Sequence, residues 1–283
     1  MRFHRFFIKD KIDAKERVVL RAFEYEPVLS QWKKVFRYIT GSRVILFDGS
    51  GYDYLCIIEK LDNSEAVLRV LEITKVENTE DVAPNKDIKA DIRKKISKTG
   101  NSVGKVVEKD ENTSTSNNQL SKTSITLLMS LIKNDNFDLV LQKATELGVS
   151  QIVPIVTDRT IKKDLNMTRS QRILVEASEQ CGRSDVPVMH PIKKLTEAIK
   201  ELGLIDNKKV GAFVCNQNGS NLNEVLKKKS SYTDLVFLIG PEGGWSPKEI
   251  KLFEDSKIKS IKFSQNVLRA ETAAIALLAL VNN

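Results

Sequence analysis

Cysteine and histidine are scarce in this chain of 283 residues, which holds three of the first and two of the second. Cys56, Cys181 and Cys215 lie far apart and form no Cys-x-x-Cys pair. That fits buried thiols in a reducing compartment better than a disulfide framework or a zinc site. With only His4 and His190, a histidine-rich metal site is excluded, and no metal is expected. Long apolar runs are also missing. The most apolar stretch, 273–281, is too short to span a bilayer. Residues 1–7 carry two arginines and no long apolar core, so no secretory signal is expected. The cytoplasm is the expected location. A phosphate-binding Gly-x-x-x-x-Gly-Lys-Ser/Thr string is absent. A dinucleotide fingerprint belongs on a first strand, whereas the glycine cluster here stands late in the chain.

What is present is an ordinary globular composition, 41% hydrophobic and 29% charged, in a chain long enough for about two domains. The net charge of +8 favours a polyanionic partner without identifying one. The most informative passage is 234–248, Asp-Leu-Val-Phe-Leu-Ile-Gly-Pro-Glu-Gly-Gly-Trp-Ser-Pro-Lys. Its apolar run predicts a buried strand at 235–239. Gly240, Gly243 and Gly244 then permit a sharp turn or a close approach to a ligand. Ser246, Pro247 and Glu249 predict a helix start with a cap, a first-turn proline and a capping-box acid. Strand, glycine loop and helix N-terminus suit a small-molecule site at a strand's carboxyl end. A tight turn without a ligand is the plainer alternative.

Residues 1–74 read as a small β-rich domain, with strands predicted at 2–8, 18–21, 44–48, 52–58 and 66–73 and a hairpin through Asp48-Gly49-Ser50-Gly51. One helix at 28–39 places Val28, Trp32, Val35, Phe36 and Ile39 on one side. Several short strands closing on themselves suggest a little barrel, with Phe6, Phe7, Trp32 and Phe36 in its core. Residues 75–122 have no aromatic residue and end in a polar run, the composition of a disordered linker or insertion. From residue 123, strands at 125–132, 151–156, 210–215, 235–239 and 258–263 alternate with helices, two of them at 137–147 and from Thr168. This is the pattern of an α/β domain whose mainly parallel sheet is covered on both faces.

Residues 266–281 read Asn-Val-Leu-Arg-Ala-Glu-Thr-Ala-Ala-Ile-Ala-Leu-Leu-Ala-Leu-Val. The pairing of Gly240-Pro241-Glu242-Gly243-Gly244 with Val267-Leu268-Arg269-Ala270-Glu271-Thr272-Ala273 resembles the SPOUT class of RNA methyltransferases. Four further strings narrow the resemblance: residues 1–7, Leu46-Phe47-Asp48-Gly49, 142–149 and Glu179-Gln180-Cys181-Gly182-Arg183-Ser184. Together they resemble the bacterial family that methylates N3 of a uridine in 16S ribosomal RNA of the small subunit. The resemblance implies S-adenosylmethionine as cofactor, a C-terminal SPOUT domain over 123–283 with a deep trefoil knot, and an N-terminal PUA-like RNA-binding barrel. It also implies a homodimer acting on 16S rRNA in assembled small subunits. Three loops would hold the cofactor. Val214 and Cys215 lie in the first, at 214–217. Leu238, Ile239, Gly240, Glu242, Gly243 and Gly244 form the second, and Phe263, Ser264, Asn266, Val267 and Leu268 the third. A carboxylate such as Glu242 is tolerable beside a cationic sulfonium. The chain departs from the family pattern at Gln31-Trp32, where a histidine pair is usual, and at Phe263-Ser264, where Leu-Gly is usual. Methylation of a ribose 2′-hydroxyl, and a non-catalytic RNA-binding role, are the competing functions.

To attack a methyl group, uridine N3 must lose its proton. No histidine stands in the motif, so Glu271, or a water it orients, is the candidate base, and Arg269 the candidate donor to the uridine anion. An internal ion pair of Arg269 with Glu271 or Glu242 is the alternative. Candidate RNA contacts are Arg2, Arg5, Arg21 and Arg37 in the first domain and Arg159, Arg169, Arg172 and Arg183 in the second. A solvated charged face is the alternative for any one of them. Cys181 and Cys215 are expected to pack. The segment 273–281 is apolar nearly all round and has to be covered on every side, by a symmetric partner or by its own subunit.

Overall fold

The computed structural model describes residues 3–13, 17–76, 123–205, 207–227 and 229–282. Arg2 and nearly all of the expected linker at 75–122 lie outside the described residues. The chain divides into two compact units, Met1–Gln119 and Leu120–Asn283.

The first unit is built on β1 (Arg5–Phe7), β2 (Val18–Arg21), β3 (Arg43–Phe47), β4 (Tyr52–Leu61) and β5 (Glu65–Lys75), in the order β1-β3-β4-β5-β2. Only β1 and β3 pair in parallel. β1 and β2 are left as the two edges, so pairing among the described residues does not close the expected barrel. Alternate residues of β4, Tyr54, Cys56 and Ile58, point inward, against Phe6, Leu20, Leu46, Leu68 and the helix residues Leu29 and Trp32. The rings of Phe6 and Trp32 meet edge-on at 5.2 Å.

That helix, α1 (Ala22–Lys34), begins and ends earlier than the expected 28–39. Tyr25 leaves the helical path (φ −123°, ψ 25°). Pro27 therefore sits near the start of a fresh helical segment, where a missing N–H costs little. Val35 and Ile39, expected on the buried side, lie past the helix end and are 67% and 72% exposed. In the hairpin after β3, the buried Asp48 carboxylate accepts the N–H groups of Ile12 and Ser50, each at 3.0 Å. Burial pushes its pKa up, but hydrogen bonds from Ser50 and Ile12, with Lys11 nearby, prevail and hold it below the ordinary value.

The second unit carries β6 (Ser124–Ser130), β7 (Gln151–Val156), β8 (Val188–Met189), β9 (Lys193–Lys194), β10 (Val210–Asn221), β11 (Asp234–Ile239) and β12 (Lys259–Lys262). The sheet order is β12-β10-β11-β6-β7-β8, with β9 also beside β7, and every pairing is parallel. Its helices are α2 (Asn134–Glu146), α3 (Met167–Cys181), α4 (Leu195–Glu201), α5 (Leu222–Leu226), α6 (Pro247–Asp255) and α7 (Ala270–Asn282). Strand alternation sends Leu127, Met129, Leu235 and Phe237 to a core shared with α2, α3 and α7. Their neighbours Leu128, Val214, Val236 and Leu238 face α4 and α6. Both faces of the sheet are thus covered, as the alternating pattern predicts.

Asn166, rather than Thr168, caps α3, its side chain accepting the Arg169 N–H at 3.0 Å. The start of α6 is the predicted capping box of Ser246 and Glu249. After β12, on the sheet edge, the chain returns so that α7 packs on α2 and β11. Asn282 donates to the Leu147 carbonyl and ties the end of α7 to that of α2. Ala274, Leu277, Leu278 and Val281 are buried within the unit, so most of the apolar helix is covered by its own subunit. Among the described residues no helix is long and apolar enough to cross a membrane.

Candidate functional site

β10, β11 and β12 run parallel, and a cavity of about 440 Å³ opens where they end, the usual place for a ligand in an open parallel sheet. Of the expected cofactor residues, Cys215, Ile239, Gly240, Glu242, Gly244, Phe263, Ser264, Asn266, Val267 and Leu268 line it. Val214 and Leu238 do not, because strand alternation turns them into the core under α4 and α6. Gly243 also points elsewhere: a Cβ there would lie 3.2 Å from the Cβ of Arg159. Sequence reasoning missed Trp245, Ile250, Ile261 and Lys262, which with Ala270 and Ala273 complete the walls. Ile250 was legible in principle, lying one helical turn beyond the Ser246 cap.

Polar bonds fix the three segments to one another. Cys215 and Ser220 both pair with Ile261, so residues 216–219 bulge from the register of β10, with Asn216 and Gln217 on the cavity wall. The Trp245 indole N–H donates to the Cys215 carbonyl at 3.1 Å. Gln217 donates to the Asn266 carbonyl at 3.3 Å. Gly244, at φ 67°, closes a turn onto the Pro241 carbonyl at 2.9 Å, a backbone state that favours glycine. At Gly240 an added Cβ would lie 3.0 Å from the Trp245 ring. Gly240 and Gly243 therefore each leave room for a neighbouring side chain, and Gly240 also lines the cavity. Burial pushes the Cys215 thiol up, so it lines the cavity as a neutral group.

Three charged residues lie on the wall, Glu242, Lys262 and Arg269. Arg269 stands just before α7, its carbonyl accepting the Ala273 N–H at 2.8 Å. Its guanidinium forms no ion pair with Glu242 or Glu271, so the internal-pair alternative is not realised. A cation at the positive end of a helix is unfavourable. Glu271, the candidate base, is buried in the first turn of α7 and does not line the cavity. A carboxylate there complements the helix dipole.

The candidate RNA arginines divide. Arg5 pairs with the Asp53 carboxylate, largely buried, and lies over the Phe47 ring at 5.1 Å. Arg183 donates to the Thr145 and Val149 carbonyls at 2.8 and 2.9 Å and pairs with Asp185. Both guanidiniums are thus engaged by groups of their own unit. Arg169 pairs with Asp138 at 2.8 Å, and Arg172 lies 3.4 Å from Glu176. Arg21 and Arg37 are exposed, and Arg159 is exposed while donating to the Gly243 carbonyl.

Residues 119–282 match the family model described as an RNA methyltransferase domain. The chain belongs to that family. Among curated relatives, the ribosomal RNA small subunit methyltransferase E of Rickettsia conorii is 32% identical over 163 residues, which cover 56% of this chain and 64% of that protein. Its namesake from Synechocystis is 30% identical over 162 residues, covering 56% and 52%. The aligned stretch thus spans less than two thirds of either relative. The solved structure of a ribosomal RNA small subunit methyltransferase E from Neisseria gonorrhoeae, bound to S-adenosyl methionine, superposes with a TM-score of 0.74 at 24% identity, over 99% of this chain and 96% of that one. A protein from Legionella pneumophila, solved with bound S-adenosylmethionine, gives 0.72 at 21% identity, over 99% and 97%. These neighbours share the fold of the whole chain, so the parallel sheet of this RNA methyltransferase domain and the smaller β unit before it are a known combination.

Proposed function

We propose that the protein is an S-adenosylmethionine-dependent methyltransferase that modifies N3 of a uridine in 16S ribosomal RNA, on small subunits in the cytoplasm. One observation carries the reading: a guanidinium, Arg269, without an acidic partner among the described residues, on the wall of a cavity between the glycine loop and the 263–268 segment. The lining suits the cofactor. Ile239, Ile250, Ile261, Phe263 and Leu268 offer apolar surface for a flat aromatic ring, while backbone groups of the three segments remain at its edges. The volume lies within the range of small-molecule sites, about 300–1,000 Å³. When bound, S-adenosylmethionine supplies a methyl group on a positively charged sulfur.

The chain's own residues would do the rest. Arg269 stabilises the uridine anion. Glu242, the carboxylate on the wall, replaces Glu271 as the group to receive the N3 proton. Lys262 and Arg269 leave the lining with a positive excess that suits an RNA strand. Arg21, Arg37, Arg159 and Arg172 are the exposed cations left for phosphate contacts, with the first unit as the PUA-like RNA-binding module.

A trefoil knot belongs to the same reading, and the return of the chain from the sheet-edge strand β12 through 263–269 to α7, packed on α2 and β11, is compatible with it. A homodimer is supported by the outer strip of α7, where Leu280 is 44% exposed, and by Val267, 82% exposed. The test is methylation of small-subunit particles with labelled cofactor, followed by nucleoside mass spectrometry. The expected product is N3-methyluridine; a ribose-methylated nucleoside, or no transfer, would overturn the reading.

A further inference from the structure

The turn after β7 is fastened to the glycine loop by bonds that the catalytic reading leaves unused. Glu249, buried in the first turn of α6, caps its own helix with one oxygen, which accepts the Ser246 N–H at 2.7 Å. Its other oxygen accepts the Asp158 N–H at 2.9 Å. The Asp158 carboxylate in turn accepts the Ser246 hydroxyl at 2.5 Å, and that hydroxyl accepts the Glu249 N–H at 3.2 Å. One residue further on, the Arg159 guanidinium donates to the Gly243 carbonyl at 2.8 Å, and its stem occupies the space beside Gly243. The turn is itself braced, since Thr160 Oγ1 accepts the Thr157 N–H at 3.0 Å and lies 2.8 Å from the Thr157 hydroxyl. Pro241, Glu242, Gly244 and Trp245 form a wall of the cavity. They are therefore held from outside at Gly243 and at Ser246.

We propose that Asp158 and Glu249 are positioning residues, which clamp the 157–160 turn to the glycine loop and so preorganise the cofactor wall. The proposal rests on the cofactor reading above. A loop that must be ordered at the moment of binding subtracts that cost from affinity. Loosening the clamp therefore weakens cofactor binding and leaves the methyl-transfer step alone. The clamp also explains why the space beside Gly243 is filled by Arg159. Glu249 uses both carboxylate oxygens in a buried setting, whereas Asp158 is exposed and can be altered with the fold intact.

The test is calorimetric titration of the full chain with S-adenosylhomocysteine, the demethylated product, with melting temperatures alongside. Asp158→Ala is expected to weaken binding about tenfold, the size of one charge-assisted hydrogen bond, with little change in melting temperature. Asp158→Asn keeps an oxygen for the Ser246 hydroxyl and is expected within about threefold of wild type. Glu249→Gln leaves one of two buried N–H groups without its acceptor and is expected to bind more weakly than Asp158→Ala. In turnover assays Asp158→Ala should raise KM for the cofactor at unchanged kcat. No binding by the wild-type chain would sink the cofactor reading, and the clamp with it. Tight wild-type binding with an unaffected Asp158→Ala would overturn the clamp alone, as would equal losses in the Ala and Asn variants or a fall in kcat without a rise in KM.

Discussion

Arg269 and Glu271 are two residues apart at the start of a helix, and that spacing assigns them different jobs. Successive helical residues turn by about 100°, so positions i and i+2 face away from each other. Arg269 accordingly reaches the cavity while Glu271 turns into the subunit. Arg269→Ala is expected to lower turnover by about 10²–10³-fold, the usual loss for a donor to a developing anion. Cofactor affinity should stay close to wild type, and thermal stability should not fall, because a cation leaves the positive end of α7. Arg269→Lys should recover only part of the rate, since an ammonium lacks the planar two-pronged geometry. Glu271→Gln inverts the pattern: turnover is retained, and stability drops by about 0.3–1 kcal/mol through the lost dipole interaction. Turnover and melting curves on the same three variants check the whole set, and a dead Glu271→Gln with normal stability would restore it as the base. The motif string made Arg269 legible in the sequence. It could not show that Glu271 turns inward, or that Gly240 and Gly243 yield to Trp245 and Arg159, because those facts depend on partners distant in the chain.

Secondary-structure elements were more legible than side-chain roles where local chemistry is strong. The Ser246 capping box, the stop of α2 before Gly148 and the strand runs at 151–156 and 235–239 are local signals that tertiary packing reinforces. Helix α1 was misplaced because a period of apolar residues carries on past Lys34, while Val35 and Ile39 meet no core. The Asp48 hairpin gives an acid test of the first unit. Asp48 has a folded pKa below its unfolded one, so its stabilisation is complete above the ordinary carboxylate range. It is lost as pH falls through the lowered folded value. Wild-type stability should therefore hold from neutrality to about pH 4 and decline below it. Asp48→Ala should already be weaker at neutrality by about 1–3 kcal/mol, with two N–H groups left short of an acceptor, and lose less on acidification. Trp32 lies in this unit and Trp245 in the other, so denaturant titrations followed by fluorescence in a Trp245→Phe background report the first unit alone. A parallel acid decline in wild type and Asp48→Ala would assign the sensitivity to other groups.

At the scale of the whole molecule, the question is what covers the rest of α7. An all-round apolar helix asks for cover on every side, and its own subunit supplies most of it. Leu277 is fully buried in that core, so Leu277→Glu would place an unpaired charge in the interior and unfold the unit rather than separate subunits. The residue that discriminates is Leu280, whose exposed part faces away from that core. If two copies join through this strip, light scattering should give twice the 31.9 kDa chain mass at micromolar concentration. Leu280→Glu should then give a monomer that keeps wild-type circular dichroism, since a desolvated carboxylate without a partner disfavours the interface while costing the free subunit little. The cavity also places Val267 on its wall with most of its side chain in solvent. A monomeric Leu280→Glu that also binds S-adenosylhomocysteine more weakly would mean that the partner completes the cofactor site. A wild-type chain that scatters as a monomer would leave the outer strip of α7 as ordinary solvent-facing surface.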